Sequence, residues 1–461
     1  MKRASKRELI GNEATVLLDT IRRLNRRNAV DHLLKLVNKT HPADLALIFR
    51  HLPPEERQNV FNIIAQTSQV SEFLSELDQA IMVELVEVLT PQYMVSIIKE
   101  MDKDDAADIL EALPEEVAYE IRKGMEKSDR EEVDELLQYD PDTAGGLMSP
   151  DFMALDDEMS VGDAIKKIQE YSEEKEMSFY LYITHGDEAN LCGVLSMREL
   201  LMHPPYRQLK NIMNPRVVSV TTDMASSEVA HLVSKYNFLA VPVVDTAYRL
   251  VGIVTVDDII DVIREEATEE FLQMAGAGKD QEILLKPVLK NAMTRAPWLF
   301  ATWLGGVVNI LIITSFQSEL QKVLALAAFI PVIAGMGGNI ATQSSTIVVR
   351  GIATGRINMQ ALGKLIFKEM RVGLLLGAVY GVFLGVFAHF GYLDPPLLGL
   401  VVGCAILFSM TLAATVGTMV PLVFRRLNID TAIATGPFVT TTIDVLGVTV
   451  YFLVAKVLLN L

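Results

Sequence analysis

The sequence has 461 residues, a formal net charge of −17 and two cysteines, and half of its residues are hydrophobic. Residues 1–295 hold 53 acidic and 32 basic side chains, whereas residues 296–461 hold 5 acidic and 9 basic ones, so a soluble acidic half precedes an apolar half. The acidic charge argues against nucleic acid as a partner, and the distant Cys192 and Cys404 argue against a disulfide or a thiolate metal site.

Residues 1–138 predict a helical cytosolic domain built from short units. Proline followed by acids recurs at regular intervals, as in Leu52–Glu56 and Leu113–Glu116, and this pattern is typical of helix N-termini. Short helices at such spacing predict an α-helical, solenoid-like stack. The helix dipole explains most of the acids at these starts, and a metal-binding role for some of them is the alternative.

Residues 139–268 predict an α/β region in which one unit occurs twice. Each unit has a strand with a glycine near its middle, Leu191–Ser196 in the first copy and Leu250–Thr255 in the second, and a helix follows it. The repeat resembles a tandem pair of CBS domains. That resemblance implies adenine nucleotide binding, for instance of ATP, at Thr255 and Asp257 of the second copy. The first copy departs from the pattern at Arg198, so we expect one nucleotide site at most, and a nucleotide-free pair is the alternative.

Acidic residues follow the second copy at helical spacing. Asp258, Asp261, Glu265 and Glu269 are three, four and four residues apart and therefore lie on one face of a helix. Like charges at this spacing repel, so a cation that bridges them to another acidic surface is favoured. A solvated helix face is the alternative. A connecting helix over residues 269–295 is predicted to lead into the membrane.

Residues 296–461 predict five transmembrane helices, because each apolar segment is about 20 residues or longer. The segments are 296–316, 323–349, 372–392, 395–424 and 431 to the C-terminus. Basic residues concentrate in the loops after the second and the fourth segment. The positive-inside rule therefore places the N-terminal half in the cytoplasm and the C-terminus outside. Five spans are few for a wide pore, so we expect a dimer with its pore on the symmetry axis.

Two polar features lie inside these spans. Asp444 interrupts the last segment, and an ionisable residue at membrane depth by default marks an ion path; a structural acid bonded to a neighbouring helix is the alternative. In the second segment, glycines and a proline between Pro331 and Ser345 predict either a loosened helix with exposed carbonyls or close packing of helices. Oxygen ligands suit Mg²⁺, whereas Zn²⁺ or Cu⁺ would require histidines or cysteines.

Three segments stand out beside the order of helical domain, CBS pair, connecting helix and five spans. They are Asp142–Met148, Pro331–Arg350 and Pro437–Asp444. In this order and in these segments, the whole chain resembles the MgtE family of bacterial magnesium transporters. The resemblance implies a homodimer with a pore between two membrane domains. It also implies that Asp444 binds hydrated Mg²⁺ near Asn339, in the same segment as Thr440.

The resemblance further implies that cytosolic acids sense Mg²⁺. The implied gating residues are Asp258, Asp261, Glu266, Glu269, Glu270 and Asp430, and the helical domain is expected to contribute from among Glu55, Glu56, Asp104, Asp105 and Asp108. Asn237 stands where some relatives carry an acid, which affects one cytosolic site.

The sequence thus predicts a transporter or channel of the bacterial inner membrane, not an enzyme. It would admit Mg²⁺ down its electrochemical gradient and close when Mg²⁺ binds the cytosolic acids. A broader carrier of Co²⁺ or Ni²⁺ and a non-conducting metal or nucleotide sensor are the alternatives.

Overall fold

The structure is a computed structural model. It describes residues 2–86, 88–171, 180–186, 189–278, 283, 287–354, 356–357, 362–391, 396–427, 429–432 and 436–461, with the backbone alone for residues 2–13 and 171. The chain divides into two compact units, Met1–Arg264 and Glu265–Leu461.

Among its described residues, the first unit begins with ten helices. They are α1 Lys2–Arg26, α2 Val30–Val37, α3 Pro42–Phe49, α4 Pro54–Ile64, α5 Val70–Ser75, α6 Gln79–Val86, α7 Pro91–Ile98, α8 Lys103–Ala112, α9 Glu115–Gly124 and α10 Lys127–Leu136. Several begin where the proline and acid pattern predicts. Helices two apart in sequence pack on one another, α2 on α4, α3 on α5, α7 on α9 and α8 on α10. This layering buries one continuous apolar core and confirms the predicted helical stack.

The described part of the chain continues with two three-stranded sheets, which confirm the tandem repeat. The first copy contains β1 Ala154–Asp156, α11 Val161–Tyr171, β2 Tyr180–His185, β3 Asn190–Ser196 and α12 Met197–Met202; the second contains β4 Val220–Thr221, α13 Ser226–Tyr236, β5 Ala240–Val244 and β6 Leu250–Thr255. In each sheet the first strand is parallel to the second, and the second is antiparallel to the third. Both sheets shift register at the equivalent place, after Ile183 and after Val243.

Each sheet is completed by the segment that precedes the other copy. Ser149 forms a bridge with Ile253 of the second copy, and Asn214 forms one with Val194 of the first. The glycine of each third strand makes room for a methionine of that segment, since a Cβ at Gly252 would lie 2.7 Å from the sulfur of Met148. The two copies are therefore interlocked rather than joined end to end.

The helix after β6 is α14, Val256–Met274, and it carries the acidic series as predicted. The predicted connecting helix over 269–295 is not continuous. Residues 275–278 are not helical, Gly276 and Gly278 have φ angles of +70° and +96°, and helix resumes at Val288. Such φ values favour glycine and end an α-helix. Most of residues 279–286 lie outside the described residues.

Within the described part of the chain, five helices are long and apolar enough to cross a membrane, as predicted. They are α15 Val288–Ser315, α17 Leu326–Ala353, α18 Leu362–Gly391, α19 Leu398–Arg426 and α20 Pro437–Leu459, and the short α16 Gln317–Lys322 lies between the first two. α15 begins eight residues, and α18 ten residues, before the predicted segments, because charged turns continue these helices. The predicted ends at Tyr392 and Pro395 lie outside the described residues.

α19 lies at the centre of the helical packing and contacts α17, α18 and α20. Glycines four residues apart on α18 let its backbone approach that of α19. A Cβ at Gly381 would lie 2.6 Å from the carbonyl oxygen of Gly403, and one at Gly377 would lie 2.9 Å from that of Leu407. Small residues at this spacing are the usual means of close packing between membrane helices.

α17 is helical at every residue from Leu326 to Ala353, including Pro331 and the glycines. The predicted loosening of this segment is therefore wrong, and close packing is the better account. A Cβ at Gly337 would lie 3.1 Å from Ile443 and 3.3 Å from the hydroxyl oxygen of Ser409. These glycines thus let α17 approach α19 and α20 closely.

Candidate ion-binding sites

Asp444 is the eighth of the 23 residues of α20 and lies beside the glycine-rich face of α17. One carboxylate oxygen, Oδ1, is 3.9 Å from the position that a Cβ would take on Gly338. Asn339, the next residue of α17, is exposed, and Asp444 is half-buried. The structure therefore brings the two predicted pore segments together and leaves an amide and a carboxylate accessible on adjacent helices.

The surroundings of Asp444 favour an ion path over a structural acid. Among the described residues, no hydrogen bond or ion pair joins the Asp444 carboxylate to another group. Thr440, one turn earlier, donates its hydroxyl to the carbonyl oxygens of Gly436 and Pro437, at 3.4 and 3.2 Å. Its side chain is therefore engaged with its own helix. A membrane carboxylate without a protein partner requires water or a cation.

Three carboxylates of the first unit, at the starts of α8 and α14, lie near enough to affect one another's charge. Burial and the carboxylate of Asp258 raise the pKa of Asp104 to about 7. Burial and other carboxylates, Asp102 foremost, raise the pKa of Asp105 to about 7 as well. Burial raises that of Asp258 to about 6, although the Thr255 hydroxyl donates to it. The charged forms of this group are thus disfavoured, and a divalent cation would relieve that cost.

The other predicted residues of the helical domain differ in character. Glu55 is exposed, and Glu56 accepts from Arg22 at 2.9 Å and from Arg26 at 3.2 Å. Both glutamates lie in the first turn of α4, where the helix dipole favours acids. Asp108 is exposed on α8 and contributes to the pKa shift of Asp105. The structure therefore supports Asp104 and Asp105 more strongly than Glu55 and Glu56.

A second acidic group, in the second unit, surrounds Glu270. Burial raises the pKa of this half-buried side chain, and the carboxylates of Glu266 and Asp430 contribute. A carboxylate oxygen of Glu270 lies 3.6 Å from Nη1 of Arg350, at the end of α17. Glu266 is exposed and Glu269 is half-buried. The structure thus brings together the predicted Glu266, Glu270 and Asp430.

The acidic face of α14 also has an ordinary ion pair. Asp261 is exposed and accepts from Arg264, three residues later, at 3.0 Å. Such exposed pairs contribute little to stability, about 0–1 kcal/mol. Asp261 therefore fits the solvated-face alternative better than Asp258 does.

The predicted nucleotide residues lie at the junction of β6 and α14. The Thr255 hydroxyl donates to the carboxylate of Asp258 in the first turn of α14, and Asp257 is exposed. In the first copy, the Ser196 hydroxyl likewise donates to the carboxylate of Glu199, at 2.8 Å, and this pair forms a capping box for α12. The two copies therefore share a hydroxyl bonded to an acid three residues later, and they differ at Arg198, which takes the place of Asp257.

Asn237 has a local structural reason for its identity. It ends α13 with a φ angle of +56°, in the left-handed region where asparagine is tolerated better than most residues.

Among the described residues, no group of three or more Asp, Glu, His or Cys side chains is arranged to hold a metal ion. Mg²⁺ commonly keeps several of its waters, so a site with fewer protein ligands suits it.

Sequence reasoning missed two buried acids near the membrane spans. Glu369 of α18 is 6% exposed and accepts from the Ser344 hydroxyl of α17 at 3.2 Å. It precedes Gly373 by one turn and so shares the face that packs on α19. Glu319 of α16 pairs with Lys456 of α20 at 3.2 Å. The sequence offered a signal in each case, since both acids lie at the edge of an apolar segment.

Comparisons with known proteins agree with these features. The family model of the MgtE intracellular N domain matches residues 40–142, CBS models match 144–205 and 209–265, and the MgtE divalent cation transporter model matches 330–454. A magnesium transporter MgtE of Bacillus subtilis is 32% identical over 92% of this chain and 93% of its own length. One from Thermus thermophilus is 38% identical over 71% of this chain and 72% of its own.

The chain belongs to the MgtE family of magnesium transporters. This finding confirms the predicted family and the prediction of a transporter rather than an enzyme. A crystal structure of the cytosolic domain of the Mg²⁺ channel MgtE in complex with ATP is similar to this chain. Its sequence identity is 33% and its TM-score 0.50, and the match covers 53% of this chain and 99% of that one.

Proposed function

We propose that this MgtE family member is a homodimeric Mg²⁺ channel of the bacterial inner membrane. Mg²⁺ would move inward down its electrochemical gradient along a path at the dimer axis. The distribution of charge supports a cytoplasmic N-terminal half and an external C-terminus, because basic residues lie in and around the connection between α17 and α18 and in the last turn of α19. The domain limits that we propose are 1–138, 139–268, 269–295 and 296–461.

The observation that carries the proposal is the placement of Asp444. Its carboxylate lies beside Gly338, with no described protein partner, and the neighbouring Asn339 is exposed. In lipid, an amide and a carboxylate would both lack the hydrogen bonds that water gives them. A second copy that faces this side would enclose both groups in a path for hydrated Mg²⁺. Mg²⁺ releases its waters reluctantly, and one carboxylate per subunit suits an ion that keeps them.

Closure is proposed to follow Mg²⁺ binding to the cytosolic acids. One group is Asp104, Asp105 and Asp258, and the other is Glu266, Glu269, Glu270 and Asp430. Both contain carboxylates whose pKa is raised by burial and by one another, which supports binding of a cation. α14 carries members of both groups, so an ion bound to either would change the forces on one helix. At low Mg²⁺ the acids repel and the channel opens.

Uptake by a bacterium that lacks its own magnesium transport tests the pore. Wild type should restore growth at low Mg²⁺, whereas Asp444→Ala and Asp444→Asn should not, at equal expression. Thr442→Val is a matched control on the same helix, because its hydroxyl donates only to the carbonyl of Phe438 in the described contacts. Rescue by Asp444→Asn would remove the carboxylate from the ion path, and failure of wild type would favour a non-conducting sensor.

The same assay decides the ion specificity. Co²⁺ and Ni²⁺ added in excess should compete weakly with Mg²⁺ uptake, since Asp444 and Asn339 offer oxygen ligands and no histidine or cysteine. Equal uptake of Co²⁺ or Ni²⁺ would favour a broader divalent carrier.

A nucleotide is a second candidate ligand, and the CBS pair supports it. The similar cytosolic domain was crystallised with ATP, and Asp257 is exposed beside the end of β6. We propose that ATP binds the second copy through Thr255 and Asp257. Asp257→Asn should weaken ATP binding to the purified chain, and Glu199→Gln in the first copy should not. Equal binding by Asp257→Asn and wild type would place the nucleotide elsewhere.

A further inference from the structure

Arg350 lies at the meeting point of the proposed sensor and a pore helix. It is in the last turn of α17, eleven residues after Asn339, which is about 16 Å along a helix. The helix dipole favours a cation at this end. Its guanidinium pairs with Glu270 of α14 at 3.6 Å. α17 is helical throughout, so the side chain that holds Glu270 belongs to the same helix as Asn339.

Glu270 has both attractive and repulsive neighbours. Its side chain is 22% exposed, whereas that of Arg350 is 65% exposed. The carboxylates of Glu266 and Asp430 repel its charge, and Arg350 is the cation that offsets them. An Mg²⁺ ion that enters this group would meet a fixed positive charge and would share Glu270 with it. Arg350 and Mg²⁺ therefore compete for one carboxylate.

The end of α14 also packs on the other pore helix. A Cβ at Gly436, the residue before α20, would lie 3.0 Å from the carbonyl oxygen of Met274, and one at Gly276 would lie 2.9 Å from Pro437. The side chain of Gln273, next to Met274 on α14, is only 3% exposed. The last turns of α14 thus contact both helices that carry the proposed pore ligands. A change in the charge around Glu270 would therefore alter the forces between α14 and these two helices.

We infer that Arg350 sets the Mg²⁺ concentration at which the channel closes, by competing with Mg²⁺ for Glu270. The inference rests on the proposed function. Arg350 is a positioning residue. It keeps the affinity of the site for Mg²⁺ low enough that the site stays empty at low Mg²⁺. Removal of its charge makes Mg²⁺ bind more tightly and closes the channel at a lower concentration.

The test uses the full-length chain in two measurements. In detergent, hydrogen exchange of residues 265–278 is followed while Mg²⁺ is titrated. In liposomes, Mg²⁺ influx is followed at graded Mg²⁺ on the cytoplasmic side. Arg350→Gln should lower both midpoints about two- to fivefold, the range of an exposed ion pair. Arg350→Lys should stay near wild type, and Arg350→Met is a second neutral variant should Arg350→Gln not fold.

Two controls separate competition from a general effect. Arg356→Gln removes the same charge from an exposed side chain three residues after the end of α17 and should leave the midpoints unchanged. Glu270→Gln should raise the midpoints, and adding Arg350→Gln to it should have no further effect, because the shared carboxylate is gone. An unchanged or raised midpoint in Arg350→Gln, or an equal shift in the Glu270→Gln background, overturns the inference. Absence of influx in wild type would overturn the proposed function, and the exchange titration would still decide whether Arg350 competes.

Discussion

Asp104 and Asp105 show how position alters the chemistry of a common residue. Both lie in the first turn of α8, where any acid gains from the helix dipole. The same is true of Glu55 and Glu56 in α4. Burial next to Asp258 raises the pKa of the two aspartates, because their charged forms lose contact with water and are repelled by a third carboxylate. Helix-start acids are thus ion-binding candidates only where another acidic element packs on them.

The raised pKa values predict a stability that depends on pH. A carboxyl with a pKa of about 7 in the folded chain and 3.8 in the unfolded chain favours folding below pH 4 and loses that contribution as pH rises to 7. Without Mg²⁺, the thermal midpoint of the full chain should therefore decrease as pH rises from about 4 to 7. Mg²⁺ at pH 8 should restore it.

Asp104→Asn tests the origin of this dependence. The variant should be more stable than wild type at pH 8 without Mg²⁺ and should gain less from Mg²⁺. Glu111→Gln on the exposed side of α8 is the matched control and should behave as wild type. If the thermal midpoint of Asp104→Asn fell with rising pH as much as that of wild type, the pH dependence would come from other groups.

Among the elements, α18 and α19 form the most closely packed pair of spans. Four glycines of α18, at Gly373, Gly377, Gly381 and Gly385, face α19 at backbone distance. Glu369 continues this face toward the N-terminal end of α18 and accepts a hydrogen bond from Ser344 of α17. The pair thus provides a firm support for α17 and α20, which carry the proposed pore ligands.

Two glycines of α18 predict opposite effects of one substitution. Gly381→Ala should lower the thermal midpoint of the full chain by several degrees, because its Cβ would overlap the Gly403 carbonyl. Gly363→Ala should leave the midpoint unchanged or raise it, since nothing lies within 4 Å of that position and alanine favours helix by about 0.5–1 kcal/mol. Equal effects would mean that the α18 and α19 backbones are not in contact.

At the scale of the whole molecule, the segregation of charge determines the expected topology. The acidic half ends before the spans, and basic residues lie in and around the connection between α17 and α18 and in the last turn of α19. The positive-inside rule predicts from them the direction in which the spans cross. In the proposed orientation, the sensing acids would lie on the side where Mg²⁺ accumulates after influx. The proposed feedback by the transported ion depends on that orientation.

Labelling of single cysteines in intact cells tests this topology. In a chain with Cys192 and Cys404 replaced by serine, Arg356→Cys should be protected from a membrane-impermeant maleimide. Leu461→Cys should be labelled, and both should react after the cells are lysed. Labelling of Arg356→Cys in intact cells would reverse the orientation.

Much of this architecture could be predicted because its signals are local. Hydropathy gave the five spans, and the repeated strand pattern gave the CBS pair. The exchange of segments between the copies, through Ser149 and Asn214, could not be predicted, because it joins residues far apart in sequence. The same reason applies to the candidate sites. The sequence predicted that the segments of Asp444 and Asn339 lie together, and Asp444 indeed lies beside Gly338. The Glu270–Arg350 pair could not be predicted, because it depends on how α14 packs on α17.

α15 has a consequence for the synthesis of the chain. None of its residues is buried, and α20 is the span on which it packs most. α15 is the first span to be synthesised, and it can pack on its main intramolecular partner only after α20, the last span, has been made. Until then its apolar surface is covered by lipid or by the insertion machinery. Nascent chains that stop before Pro437 should therefore expose α15 to quality-control proteases of the membrane.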